Sequence, residues 1–253
     1  MRNIKIVLAY DGTNYAGWQR QKSVPTIQGV VEEKIGVMTD APVVLHGAGR
    51  TDAGVHALGM TANFKTHSDI PATGFLKGLN SLLPEDIRIL GAQDTDPDFH
   101  ARYSAKGKAY FYVINAGMIT LPTERLYTCG ISRNLDLNRI SACLKILIGK
   151  HDFSSFEATG SRDLSGKNGK GAIREIFSAE CILKNNDTGK IFIEISGDGF
   201  LRHMVRNIAG TLIEVGVGRM NITDFKKTLD SKDRSAAGPT APARGLFLKK
   251  VFY

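Results

Sequence analysis

The sequence predicts an α+β protein with a largely antiparallel sheet. Apolar runs of strand length alternate with amphipathic helical stretches, and at least one pair of strand runs is joined by a short polar turn. The second half also repeats the order of the first, without evident sequence identity between them. With 253 residues, 42% of them hydrophobic, the chain can bury a core as one large domain or two smaller ones.

The elements follow in order. Asn3 to Tyr10 reads as a strand, followed by the turn-rich loop "GTNYAGWQRQKSVPT", which carries Tyr15, Trp18, Arg20 and Lys22. Thr26 is a candidate N-cap for a helix in which Ile27, Val30, Val31 and Ile35 recur at helical spacing, ending between Gly36 and Asp40. "APVVLHGAG" gives a short strand running into a glycine-rich loop, and "MTANFKT" alternates Met60, Ala62 and Phe64 as a half-buried strand. A helix from Pro71 to about Leu83 precedes the strand "DIRILGAQ".

Lys108, Tyr110, Tyr112 and Ile114 then alternate with Ala109, Phe111 and Val113, predicting a strand with positive charge at its start. The domain boundary is expected just before this strand, dividing the chain into 1–104 and 105–253. The second half holds a helix from about Asn138 to Ile148 and a hairpin turning at Asn185 to Gly189. A helix from about Leu201 to Val215 and the last strand, "GLFLKKVFY", complete it. The glycine- and lysine-rich stretch Ala158 to Ala172 reads either as a surface excursion or as a flap closing on a phosphate backbone.

Lys and Arg number 33 against 25 Asp and Glu, a formal charge of +8 that favours a polyanionic partner such as nucleic acid. The three cysteines, Cys129, Cys143 and Cys181, are far apart and form no CxxC pair, which argues against a disulfide framework and a zinc site. No targeting signal or run of membrane-spanning length is evident, so the expectation is a soluble, unprocessed, cytoplasmic protein.

The chemistry-bearing stretch is "HGAGRTDAGVHA", His46 to Ala57. Gly47, Gly49 and Gly54 adopt positive φ at little cost, so the loop can bend sharply and display Asp52 at its tip. Composition leaves two readings: a turn Asp that caps the next segment, which is the commoner case, or a carboxylate placed as nucleophile, base or orienting group. A phosphate cradle fits poorly, because neither GxGxxG nor GxxxxGK[ST] is present and a central Asp repels phosphate.

In "FLRHMVRNIAGTL" the apolar stripe is Leu201, Met204, Val205, Ile208 and Leu212, while Arg202 and Arg206 lie four residues apart on a neighbouring face. They read as solvated arginines or as partners that keep a catalytic carboxylate ionised. Tyr110 is a core aromatic or a base-stacking one. A basic chain with aromatics among Lys and Arg and a displayed carboxylate suits work on a nucleobase, since stacking contributes about 1–3 kcal/mol per base.

"GAGRTDAGVHA" closely resembles the signature loop of the TruA family of tRNA pseudouridine synthases. "YDGTNYAGWQRQ", "FHARYSAKGKAYFYVI", "HDFSSFEATG", "GFLRHMVRNIAGTL" and "APARGLFLKKVFY" resemble the family's other motifs in the same order, over essentially the whole chain. The resemblance implies isomerisation of uridine to pseudouridine at tRNA positions 38, 39 and 40, in the anticodon stem and loop. It implies Asp52 as the catalytic nucleophile, Tyr110 as the active-site aromatic and Arg206 as the basic partner of the Asp. Arg50 is implied in handling the flipped nucleotide, Leu246 as the apolar residue of the C-terminal signature, and Arg202 as a further substrate contact. The implied fold is two α/β halves whose mainly antiparallel sheets join into one extended sheet flanked by helices, with a basic central cleft. A homodimer with no metal and no organic cofactor is implied as well. "APARGL" stands where the family more usually has "APPEGL". The competing classes are an RNA-binding protein without chemistry and a nucleoside hydrolase.

Overall fold

The computed structural model describes residues 1–117, 119–159, 171–183 and 189–253. The chain forms two compact units: Met1–Lys108 with Phe247–Tyr253, and Ala109–Leu246. Both combine strands with helices, in agreement with the α+β class. The last strand packs in the first unit, whereas a division at 104/105 assigns it to the second half.

The first unit contains β1 (Arg2–Tyr10), α1 (Ile27–Thr39), β2 (His46–Gly47), β3 (His56–Thr66), α2 (Ala72–Leu82), β4 (Ile87–Thr95) and all but the first residue of β10 (Leu246–Phe252). Its strand order is β4-β1-β3-β10, with β2 paired to β3. The β1–β3 and β1–β4 pairs are antiparallel, while β10 runs parallel to β3. Thr26 caps α1 as expected, its side chain accepting from Gly29 N, and Asp40 ends the helix in the left-handed conformation. Ile27, Val31 and Ile35 of α1 and Phe75 and Leu79 of α2 are buried, and Phe75 meets Phe64 of β3 edge-on at 5.3 Å.

Two expectations change here. The run before the glycine loop forms only the two-residue β2, with Val44 exposed. β3 begins four residues earlier than Met60 and is buried on both faces rather than one. Its second face is closed from a distance in sequence. Asn63 Nδ2 donates to Asn3 Oδ1 at 3.0 Å, and Ala101 N donates to Asn63 Oδ1 at 2.8 Å. Tyr253 packs 5.0 Å from Phe99 and donates to the Ala101 carbonyl, while Lys5 lies over the Tyr253 ring. Buried amides on a sheet face are tolerated because each finds partners.

The second unit contains most of β5 (Gly107–Asn115), then β6 (Cys129–Gly130), α3 (Leu137–Leu147), β7 (Gly149–Asp152), β8 (Ile173–Leu183), β9 (Lys190–Gly197), α4 (Met204–Gly216) and α5 (Ile222–Ser231). Its strand order is β5-β9-β8-β7, with β6 paired to β5. The β8–β9 hairpin matches the expectation, although most of its turn, 184–188, lies outside the described residues. The sequence reading passes over α5, which Asn221 caps by accepting from Asp224 N at 2.8 Å.

α4 is the core helix of this unit, with 11 of its 13 residues buried. It starts at Met204 rather than near Leu201, because His203 takes a left-handed conformation (φ 62°) and breaks the helix there. Arg202 therefore lies outside the helix, and the expected neighbouring-face arrangement of Arg202 and Arg206 does not form. Among the described residues no helix is long and apolar enough to cross a membrane.

Candidate active site

In the first unit, the loop bearing Asp52 is fixed at both ends and from beneath. At its entry, Gln28 and Glu32 of α1 hold Leu45: Leu45 N donates to Glu32 Oε1 (2.9 Å), and Gln28 Nε2 donates to the Leu45 carbonyl (3.0 Å). Glu32 is buried, and its second oxygen lies 3.2 Å from Arg20 Nη1. Beneath the loop, Trp18 N donates to the Thr51 carbonyl (3.1 Å), and the Tyr10 hydroxyl pairs with Thr51 Oγ1 (2.9 Å). At its exit, Val55 N donates to the Asp52 carbonyl (3.1 Å), closing a turn over Asp52–Val55.

The glycines do more specific work than general flexibility. Of the three in the loop, Gly54 alone takes a positive φ (74°). Gly47 instead admits the Trp18 indole, which a side chain at 47 would meet at 2.5 Å, and Gly49 admits Lys108 Nζ. Gly17, in the preceding loop, combines a positive φ with a close backbone contact. Its φ is +90°, and a Cβ there would lie 2.5 Å from the Thr51 carbonyl oxygen. Thr51 is buried and Asp52 partly exposed, so the loop offers the carboxylate outward from a pinned backbone. Arg50, also exposed, donates through Nε to Gln19 Oε1 at 3.1 Å.

His56, just past the loop, is buried and stacks on Phe247 at 4.6 Å. Its Nδ1 lies 3.1 Å from both Gly12 N and Asp11 Oδ1. One nitrogen cannot accept from the first and donate to the second. Either bond ties the β3 start to the turn after β1.

In the second unit, Tyr110 of β5 is buried, its ring edge-on to Phe200 at 5.0 Å. Arg206 sits in the first turn of α4 and is held by main chain. Its Nε donates to the Ala241 carbonyl (2.8 Å), and Ala241 N donates to the Arg206 carbonyl (3.1 Å). A side-chain network keeps this strap, residues 238–242, in place. Asn207, fully buried, donates to the Phe156 carbonyl and accepts from Thr240 Oγ1 (2.6 Å) and Arg234 Nη2 (3.2 Å).

Beyond the strap, the Tyr112 hydroxyl donates to the Pro242 carbonyl (2.8 Å). Burial first, and then Cys129, hold that hydroxyl well above the ordinary tyrosine range, so it remains a donor. Arg244, the departure within "APARGL", donates to the Thr128 carbonyl (3.2 Å). Leu246 is buried as the first residue of β10. Arg202 is exposed, and its carbonyl accepts from Ala158 N.

Asp52 and Arg50 thus belong to the first unit, and Tyr110, Arg202, Arg206 and Leu246 to the second. Sequence reasoning missed the supporting residues Trp18, Thr51, Tyr112, Asn207 and Arg234. The available signal was the bulk of Trp18 and Tyr10 flanking Gly12 and Gly17; the others are polar residues whose partners lie far along the chain. Most of the stretch 158–172 lies outside the described residues. Among the described residues no cluster of three or more His, Cys, Asp or Glu is arranged to hold a metal ion.

Comparison with known proteins bears on these residues directly. The family model described as tRNA pseudouridine synthase matches residues 6–104 and 143–253. The chain is 49% identical to tRNA pseudouridine synthase A 1 of Desulfotalea psychrophila and 46% identical to tRNA pseudouridine synthase A of Lacticaseibacillus casei, covering all of both chains. It is 47% identical to tRNA pseudouridine synthase A 2 of Clostridium tetani, over all of this chain and 99% of that one. The pinned Asp52 loop and the strapped Arg206 both fall inside the matched segments, and on this evidence the chain belongs to the tRNA pseudouridine synthase family.

Proposed function

We propose that this chain isomerises uridine to pseudouridine at positions 38, 39 and 40 in the anticodon arm of tRNA. The observation that carries the reading is Asp52, displayed by a pinned, glycine-packed loop inside the segment 6–104 that the family model matches, in a chain whose relatives align over its whole length. A duplex hides the reacting atoms, so the nucleotide must leave the stack, at a cost of a few kcal/mol that is least where pairing is weak. Arg50 fills the vacated space. Lys and Arg side chains neutralise phosphates, in keeping with the +8 charge.

Asp52 is the nucleophile toward the flipped uridine, and Arg206 is its basic partner. Three routes are chemically open to the carboxylate: attack at ribose C1′, attack at uracil C6, or removal of the C2′ proton on the way to a glycal. In each, the C1′–N1 bond breaks, the uracil rotates, and C5 bonds to C1′ and then loses its proton; the carboxylate's bond to C1′ or C6 breaks again, or in the glycal route the proton returns to C2′. Tyr110 stacks on the loose base and accepts the C5 proton; Leu246 and Arg202 contact the substrate. A C2′-deuterated uridine slows only the glycal route. The functional protein is a cytoplasmic homodimer that needs no metal or organic cofactor.

The test is to treat a tRNA mixture with purified protein, without ATP, metal or NAD, and to map pseudouridine by mass shift after selective chemical labelling. The expected result is label at positions 38 to 40. A binding protein leaves the RNA unchanged, and a hydrolase releases uracil. Tyr110→Phe keeps the ring but loses the hydroxyl; turnover should fall by about 10²-fold or more, as for loss of a general base. Undiminished turnover leaves Tyr110 as a stacking ring alone.

A further inference from the structure

In the first unit, three rings form a ladder that the reaction above does not use. His46, the first residue of β2, lies 4.7 Å from His100, and His100 lies 4.3 Å from Tyr103. Tyr103 is 77% exposed, so its contact with His100 leaves most of the ring open to a ligand. Exposed tyrosines are ordinarily loose, but this one stands on a closed turn. Ser104 N donates to the His100 carbonyl (2.9 Å), and His100 N donates back to Ser104 Oγ (3.1 Å).

The middle ring is locked as well. Arg102 N donates to His100 Nδ1 (3.1 Å), so that nitrogen carries no proton and the ring is neutral. Burial first, and then the neighbouring His46, lower the His100 pKa in the same direction. One residue joins the two backbones that bring the rings together. Asn63 pairs with His46 in the β2–β3 register, and its Oδ1 accepts from Ala101 N.

The segment that follows His100 is cationic, while Asp96 and Asp98 precede it. The Arg102 guanidinium lies 5.9 Å from the centre of the Tyr103 ring, and Lys108 Nζ packs against Gly49. From His100 to Lys108 there is no acidic residue, and the three basic ones are Arg102, Lys106 and Lys108. A pre-ordered, neutral aromatic ladder beside fixed cations suits an unpaired nucleobase with its phosphate, because stacking accepts any π face and the cations take the backbone charge. The ladder begins four residues before Arg50 and six before Asp52, on the strand that leads into the loop.

We infer that His46, His100 and Tyr103 form a stacking platform for one unpaired base of the tRNA anticodon arm, with Arg102 contacting an adjacent phosphate. The inference rests on the tRNA reading proposed above and adds a second nucleotide subsite to it. Tyr103 is the ring the base meets, and His46 and His100 support it.

The test is a binding cycle with anticodon stem–loop RNAs in which single loop nucleotides are made abasic, read as Kd without turnover. Tyr103→Ala should weaken binding of the intact stem–loop by about tenfold, within the range measured for loss of one stacked base, and Tyr103→Phe should bind like the parent. At one loop position the abasic RNA should lose affinity for the parent protein and lose nothing further with Tyr103→Ala. Arg102→Ala should lower the salt dependence by about one phosphate contact, and Tyr103→Ala should leave it unchanged. Parental affinity in Tyr103→Ala, or an equal loss for every abasic RNA, overturns the platform. Loss of pseudouridine formation with this cycle intact overturns the reaction but not the platform; failure of the parent protein to bind the stem–loop overturns both.

Discussion

Asp52 and Arg206, the two charged residues assigned to the chemistry, are held by different sets of contacts. The Asp52 loop is set by main-chain bonds, Trp18 N on the Thr51 carbonyl and Val55 N on the Asp52 carbonyl, by Gly17 packed against Thr51, and by the side chains of Tyr10, Gln28 and Glu32 beneath and before it. Arg206 is set by a strap, residues 238–242, that polar side chains hold down. Asn207, Thr240 and Arg234 bond to one another, and Thr211 Oγ1 accepts from Gly238 N. The first arrangement turns on a glycine at positive φ packed against a backbone oxygen, while the second adds a side-chain hydrogen-bond network to a close glycine contact, Gly210 against the Pro239 carbonyl.

That contrast predicts different kinds of fragility. The largest effect is expected at Gly17. Gly17→Ala places a Cβ at positive φ and against a backbone oxygen, which together should cost about 2–4 kcal/mol, measured by chemical denaturation. A loop shift of about 1 Å misplaces a reacting group enough to lower turnover by about 10²-fold. A fully active, equally stable Gly17→Ala protein would show that the loop is not pinned from beneath.

Asn207→Ala comes next. It strands the Phe156 carbonyl and removes the acceptor used by Thr240 and Arg234, all in a buried setting, at about 1–3 kcal/mol. Its turnover should fall less than that of Gly17→Ala, since Ala241 still accepts from Arg206. A larger loss at Asn207 reverses the comparison.

The smallest effect concerns a residue in neither arrangement. Burial pushes the Cys143 thiol up to about 11, so almost none is thiolate near neutral pH. Iodoacetamide should label Cys143 in the native protein far more slowly than in denaturant at pH 8. Equal rates would mean that the α3 face of the second unit is not closed.

The same contrast explains what was legible in the sequence. Elements whose signal is local were readable: the Thr26 cap of α1, the alternation along β5, and the helix that Pro71 opens. The glycine-rich loop was readable as a sharp bend with Asp52 at its tip, and the motif supplied the residue's role. Features decided by distant partners were not readable. β3 is buried on both faces because Asn3, the 96–104 segment and Tyr253 close its second face, and none of these is near it in sequence. The start of α4 moves by three residues because His203 turns left-handed, and "LRHM" contains no glycine or proline to mark that turn. Gly47 looked like a hinge; its neighbour Trp18 makes it a packing site.

The most direct test of the account is Asp52→Asn, nearly isosteric and uncharged. The variant should fold and bind the anticodon stem–loop like the parent protein, because the bonds that Val55, Trp18 and Tyr10 make to the loop fall on the Asp52 carbonyl and on Thr51 rather than on the substituted carboxylate. Selective labelling should detect no pseudouridine in tRNA treated with it. Appreciable pseudouridine formation by Asp52→Asn would contradict the assignment of Asp52 as nucleophile.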